Sequence, residues 1–247
     1  MQKERPFVMS IAGFDPSGGA GVLADIKTFE QLKVHGLAVC TAMTLQTESE
    51  FYTLQWQQID EILSATDVVM KKYKVEAVKI GVVKDAKFLA QIVEKLKSIN
   101  PEVKIVWDPV LKSTSEFSFF DLNTISELKN ILQKINLITP NYHEYHVLKE
   151  HHLFEPSENG CSVLIKGGHR EDKIGTDILW ENGNETSIEP NNTTSVFYPK
   201  HGSGCVLSSA IASYLALGKD IEQSCRSGKL HIEKFLTSNQ MLLGFHS

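Results

Sequence analysis

Residues 6–29 read PFVMSIAGFDPSGGAGVLADIKTF, and their pattern changes once. From Pro6 to Gly13 the run is nearly continuous and apolar, as in a strand buried on both faces. From Gly19 onward the apolar residues recur at helical spacing. A strand, a glycine-rich loop and a helix, in that order, open a βαβ unit.

The same alternation continues outward. Residues 36–46 (GLAVCTAMTLQ), 75–81 (VEAVKIG), 103–109 (VKIVWDP), 136–141 (NLITPN) and 161–169 (CSVLIKGGH) read as strands. Residues 60–73, 86–100, 121–135 and 142–151 read as the helices between them, the second stopped at Asn100-Pro101. Residues 175–190 predict two strands around Glu181-Asn182-Gly183-Asn184, a hairpin. Two further helices are expected over 205–218 and 220–239. This order predicts an α/β fold with a mainly parallel sheet between helical layers. With no repeat and no low-complexity linker, residues 1–247 are expected to form a single domain.

Composition narrows the function. The chain has 42% hydrophobic and 22% charged residues and a net charge of -5, with no basic stripe, so a nucleic-acid partner is not expected. No apolar run approaches the roughly 18 residues of a membrane span, so a membrane partner is not expected either. The first apolar run is too short for an export signal, and Asp15 follows it closely. Cys40, Cys161, Cys205 and Cys225 form no CxxC pair, so a cytoplasmic protein with reduced thiols is expected.

In an open α/β sheet, ligands bind at the carboxyl ends of the strands. Nearly every polar or glycine-rich cluster of this chain falls there. GFDPSGGAG (13–21) contains a G-x-G-x-x-A match, but no acidic residue ends the second strand as a dinucleotide site requires. No P-loop motif occurs. In TPNYHE (139–144), Asn141 and Glu144 can face one side and hold a hydrated Mg²⁺ near a phosphate. They can equally be a helix N-cap and its capping partner. His143 and His146 lack a third ligand and read as solvated. Asp108, fixed by Pro109, is placed near a metal or a phosphate. Lys166-Gly167-Gly168 suits a nucleotide edge. HGSGC (201–205) leads directly into a helix, so its backbone N–H groups make an anion site. The helix dipole predicts a lowered pKa for Cys205, which would let it act as a base; a cysteine packed at a helix start is the alternative.

IAGFDPSGGAGVLADIKTF, TAMTLQT, KIGVV, WDPVL, ITPNYHE, LIKGGH and HGSGCVLSSAIA, in that order, resemble the hydroxymethylpyrimidine/phosphomethylpyrimidine kinases of thiamin biosynthesis, within the ribokinase-like superfamily. The resemblance implies a ribokinase-like three-layer α/β/α fold. It implies Mg²⁺-dependent transfer of the ATP γ-phosphate to the hydroxymethyl group of an aminopyrimidine alcohol, and then to the resulting monophosphate. By the same resemblance Gly202, Ser203, Gly204 and Cys205 are catalytic, with Cys205 the proposed base. Gly13, Asp25, Gln46, Val82 and Val110 bind the pyrimidine. Lys166, Gly168 and Asn141 face ATP, and Asp108 and Glu144 the metal. A homodimer is implied as well. One glutamine amide can pair with both the ring nitrogen and the amino group of an aminopyrimidine edge.

Four places depart from the family pattern. Phe14 stands where serine or threonine is usual, Thr47 for asparagine, Lys112-Ser113-Thr114 for an Ala-Lys-Ser stretch and Ser203 for threonine. A pyridoxal-type kinase, a non-catalytic pyrimidine-binding relative and a dinucleotide-dependent oxidoreductase are the alternatives.

Overall fold

The structure is a computed structural model that describes residues 4–112, 117–153, 160–169, 174–191 and 196–246. Ser113 and Thr114, one site of departure, lie outside them. Nine strands form one sheet, in the order β3-β2-β1-β4-β5-β6-β7-β8-β9. They are β1 (Phe7–Phe14), β2 (His35–Gln46), β3 (Phe51–Trp56), β4 (Val75–Ile80), β5 (Lys104–Trp107), β6 (Leu137–Ile138), β7 (Ser162–Ile165), β8 (Asp177–Glu181) and β9 (Asn184–Ile188). Strands β2, β1, β4, β5, β6 and β7 run parallel, while β3 at one edge and β8 and β9 at the other are antiparallel. The expected alternation and the 181–184 hairpin are both present.

The helices are α1 (Gly21–Gln31), α2 (Ile59–Lys72), α3 (Ala86–Ile99), α4 (Leu128–Leu132), α5 (Tyr142–Glu150), α6 (Ser203–Ala216) and α7 (Ile221–Thr237). Local chemistry starts several of them. Asp85 caps α3 by accepting the Phe88 N–H at 2.7 Å, and Asp220 caps α7 by accepting that of Gln223 at 2.7 Å. Gly202, the N-cap of α6, has no side chain to cap it, so no side chain closes its first turn to a ligand.

Strand alternation sorts the core into two layers. Met9, Ile11, Val78, Ile80, Ile105 and Trp107 pack with α2 and α3 on one face. Val8, Ala77, Val106, Leu137 and Leu164 pack with α1, α6 and α7 on the other. Helices on both faces of a mainly parallel sheet are the three-layer arrangement expected. Among the described residues, no helix is long and apolar enough to cross a membrane.

Two expectations need correction. Residues 121–135 do not form one helix: a 3-10 turn, Leu122–Glu127, precedes the short α4. Asp121 Oδ1 accepts the Asn123 N–H at 3.0 Å, its carbonyl accepts the Thr124 hydroxyl at 2.8 Å, and that hydroxyl accepts the Ala86 N–H at 3.0 Å. These side-chain bonds compete with the α ladder. Strand β3 is an addition that the sequence reading passed over.

Candidate functional site

Strand β1 pairs with β2 on one side and β4 on the other, so the order of strands across the sheet reverses at β1. A crevice opens at the carboxyl end of such a switch point. Here it is lined by Gly13, Gln46, Val82, Val110, Asp108, Asn141, Glu144, Lys166 and the 202–205 turn. These are most of the residues picked out in sequence, and they come from six different strand ends and the start of α6.

Two glycine loops meet to form one wall. Asp15 organises the first: Oδ1 accepts the Ser17 N–H at 2.9 Å, and Oδ2 accepts the Ser17 hydroxyl at 2.8 Å and the Ala20 N–H at 2.9 Å. His201 Nε2 donates to the same Oδ2 at 2.8 Å and so ties the second loop to the first. Burial works against the Asp15 charge, but the bonds from His201 and Ser17 outweigh it and hold its pKa below the ordinary value. Gly202 has φ +73°, and a Cβ there would lie 1.9 Å from the Gly19 carbonyl oxygen. Only glycine allows both that conformation and that approach.

Behind the turn lies a charged group. Lys166 Nζ donates to Asp108 Oδ1 at 2.7 Å, and the Ser208 hydroxyl, on α6, donates to Asp108 Oδ2 at 3.2 Å. Burial opposes the Asp108 charge, yet Lys166 and Lys79 hold its pKa below the usual carboxylate value. Burial likewise disfavours the Lys166 ammonium, and Asp108 and Glu144 still raise its pKa. Glu144 is pushed up to about 7, first by burial, with Lys166 pulling down and Asp108 pushing up. Asn141 and Glu144 form the full capping box: Asn141 Oδ1 accepts the Glu144 N–H at 2.9 Å, and Glu144 Oε2 accepts the Asn141 N–H at 2.7 Å. The capping alternative is thus present, on the cavity wall.

Gln46 reaches the cavity from the end of β2. The Thr44 hydroxyl donates to the Phe14 carbonyl at 2.9 Å, which uses its one hydrogen. It can therefore only accept from Gln46, whose Nε2 lies 2.9 Å away. That fixes the amide's orientation and keeps Oε1 and the second N–H for a ligand.

Three of the residues picked out in sequence sit differently from the rest. Asp25 is fully buried and does not reach the cavity. Its Oδ1 accepts from Lys79 at 3.0 Å and Ser209 at 2.6 Å, and its Oδ2 from Lys79 at 2.9 Å and Ser10 at 2.5 Å. Lys79, itself fully buried, lines the cavity in its place. Gly168 is exposed, beyond Lys166 and off the wall. Cys205 does not have a lowered pKa. Burial pushes its thiol up, and the charges of Asp25 and Asp108 add to this; Lys79 and the Gly21 backbone pull the other way without prevailing. Burial wins because the thiolate would be desolvated.

The sequence reading missed Asp15, Thr44, Lys79 and His201. The signal for Lys79 was a lysine inside the apolar strand VEAVKIG, which calls for a buried counter-ion.

Comparisons with known proteins agree with this architecture. The family described as phosphomethylpyrimidine kinase matches residues 15–246. A hydroxymethylpyrimidine/phosphomethylpyrimidine kinase of Aquifex aeolicus is 32% identical over 246 residues, covering 95% of each chain. The Escherichia coli enzyme of that name is 30% identical over 219 residues, 83% of this chain and 81% of its own. Among solved structures, a phosphomethylpyrimidine kinase from Clostridium difficile 630 superimposes with a TM-score of 0.73 at 31% identity, covering 92% of this chain and 98% of that one. A Staphylococcus aureus pyridoxal kinase in complex with ADP shares the fold, with a TM-score of 0.82 at 22% identity over 96% of this chain and 89% of that one.

Proposed function

The chain belongs to the phosphomethylpyrimidine kinase family, and we propose that it transfers the ATP γ-phosphate to hydroxymethylpyrimidine, to its monophosphate, or to both. The observation that carries this reading is the convergence of an oriented Gln46 amide and the uncapped start of α6 on one cavity. The first reads an aminopyrimidine edge. The second faces charge developing on the transferred group.

Lys166 and Asp108 flank the anion turn, and Lys166 takes the nucleotide side. Glu144 and Asp108 supply hard oxygen donors, and such a pair suits Mg²⁺, which keeps several waters and takes the rest of its shell from phosphates. When bound, the metal would neutralise phosphate charge. Among the described residues no three His, Cys, Asp or Glu side chains converge on one point. Cys205 takes the alcohol's proton in its thiolate form, which burial keeps in the minority at neutral pH. The whole of residues 1–247 acts as one kinase domain, in the cytoplasm, and as a homodimer on the family resemblance.

The test mixes the purified chain with ATP, MgCl₂ and hydroxymethylpyrimidine, following ADP by a coupled assay and product by mass. No ADP with either the alcohol or its monophosphate refutes the proposal. Phe14 on the cavity wall favours one second reading, a pyridoxal-type kinase. The ratio of kcat/KM for the two alcohols separates them.

A further inference from the structure

Lys200 stands immediately before the anion turn, and its side chain is buried with 7% of its surface exposed. Its ammonium donates to the Asn239 carbonyl at 2.5 Å, to Asn239 Oδ1 at 3.0 Å and to the Met241 carbonyl at 2.6 Å. The Tyr198 ring lies 5.6 Å from Nζ. Among the described residues no carboxylate pairs with it, so neutral oxygen dipoles hold the charge.

Those oxygens belong to a turn that organises itself. Asn239 Oδ1 also accepts the Met241 N–H at 2.8 Å, and Asn239 Nδ2 donates to the Leu243 carbonyl at 3.0 Å. The turn then grips the site at two further points, and Lys200 holds the helix start at a third. The His201 N–H donates to the Leu242 carbonyl at 2.9 Å. The Leu243 side chain packs so closely on the first glycine loop that a Cβ at Gly19 would lie 2.7 Å from its Cδ2. The Lys200 carbonyl itself accepts the Ser203 N–H, the first of α6, at 3.4 Å.

We infer that Lys200 and the turn Asn239–Leu243 form a clamp that aims the 202–205 amides, with Lys200 a positioning residue for phosphoryl transfer. An ammonium is suited to such a clamp, because three donors on one atom match three oxygens around one point, whereas arginine presents a planar fork. Fixing the Lys200 side chain fixes its backbone, and through it the start of α6. The Asp15–His201 bond holds the loop from the other side, so the turn is gripped between the first loop and the last. The clamp rests on the proposed phosphoryl transfer only for its catalytic consequence; its structural part stands apart from it.

Lys200→Met and Asn239→Ala test it with two readouts. Backbone hydrogen exchange of residues 201–205 requires no substrate, and is expected to accelerate at least 10-fold in Lys200→Met. Steady-state kinetics with ATP and hydroxymethylpyrimidine are expected to show kcat falling about 10²-fold while the alcohol's KM stays within about 3-fold, as displacement of a positioned group by about 1 Å would produce. Lys200→Arg is expected to restore neither. Should Lys200→Met fail to fold, Asn239→Ala carries both readouts with smaller changes in the same directions. Wild-type exchange over 201–205, or kcat within 2-fold of wild type in the folded variant, overturns the clamp. Wild-type protein that turns over no pyrimidine, together with faster exchange in Lys200→Met, refutes the substrate reading and leaves the clamp in place.

Discussion

Replacing Gly202 with alanine separates the two demands made on that residue. Its φ of +73° costs a side chain about 1–2 kcal/mol in any setting. For a chain of this length that lowers Tm by roughly 2–8 °C. The second demand is specific. The new Cβ would lie 1.9 Å from the Gly19 oxygen and 2.8 Å from the Ala20 Cα, so the two loops must part by about 1 Å. A misplacement of about 1 Å at a reacting group costs about 10²-fold in rate, or about 2.7 kcal/mol in barrier. Gly183 supplies the control. Its φ is +79°, and nothing lies within 4 Å of the Cβ it would gain. Gly183→Ala therefore carries the backbone strain without the collision. The assay is ADP release at saturating substrates, with Tm measured in parallel. Expected is a Tm loss in both variants, larger in Gly202→Ala because of the collision, and a kcat loss confined to Gly202→Ala. Equal kcat in the two, each folded, would mean that contact between the loops does not set the site.

Cys205→Ala is expected to lower kcat by about 10²–10⁴-fold. With a thiol pushed up by burial, wild-type kcat should rise close to tenfold per unit between pH 7 and 8; a flat profile over that range removes Cys205 as the base. Thr44→Val removes the hydroxyl that fixes the Gln46 amide, a bond of about 1 kcal/mol, so the aminopyrimidine KM should rise roughly 5-fold with kcat held. An unchanged KM refutes that role. Glu144 governs a pH effect on stability. In the folded chain it keeps its proton to about pH 7, while unfolded it titrates near the ordinary value of 4.5. The folded state therefore binds more protons across that window, and stability falls as pH rises through it. Urea unfolding at pH 5 and pH 7.5 should show a smaller drop in Glu144→Gln; an identical drop counts against the assignment.

The parallel core was legible because buried strands write themselves as short apolar runs, and six such runs alternate with helical patterns. The strand-end motifs were legible for a related reason: topology sends every carboxyl end to the same edge. What escaped notice depends on partners distant in the chain. Strand β3 is rich in β-forming aromatics, but it lies half exposed at the sheet edge and lacks the continuous apolar run of the parallel strands. Asp25 is assigned to the pyrimidine by resemblance alone, and nothing near it in sequence reveals its partner Lys79, 54 residues on. Yet alternation in β4 turns Lys79 toward the α1 and α6 face, where the carboxylate waits. The Cys205 error has the same root. A helix start is visible in sequence, whereas the burial that overrides its dipole is a property of the packed molecule.

The meeting of the Gly19 and Gly202 loops also bears on how the protein is made. One belongs to the first βα unit and the other to the start of α6, so the ribosome produces them roughly 10–40 s apart. During that interval β1, β2 and β4 can already pair under α1, but the part of that face that receives α6 lies bare, with Ala77 and Val106 uncovered. The wall that the two loops form cannot exist before the start of α6 is made. Chaperone dependence should therefore concentrate late in synthesis, and a nascent chain arrested before α6 should expose an apolar sheet face while the strand ends that bear Gln46, Val82 and Val110 are already made.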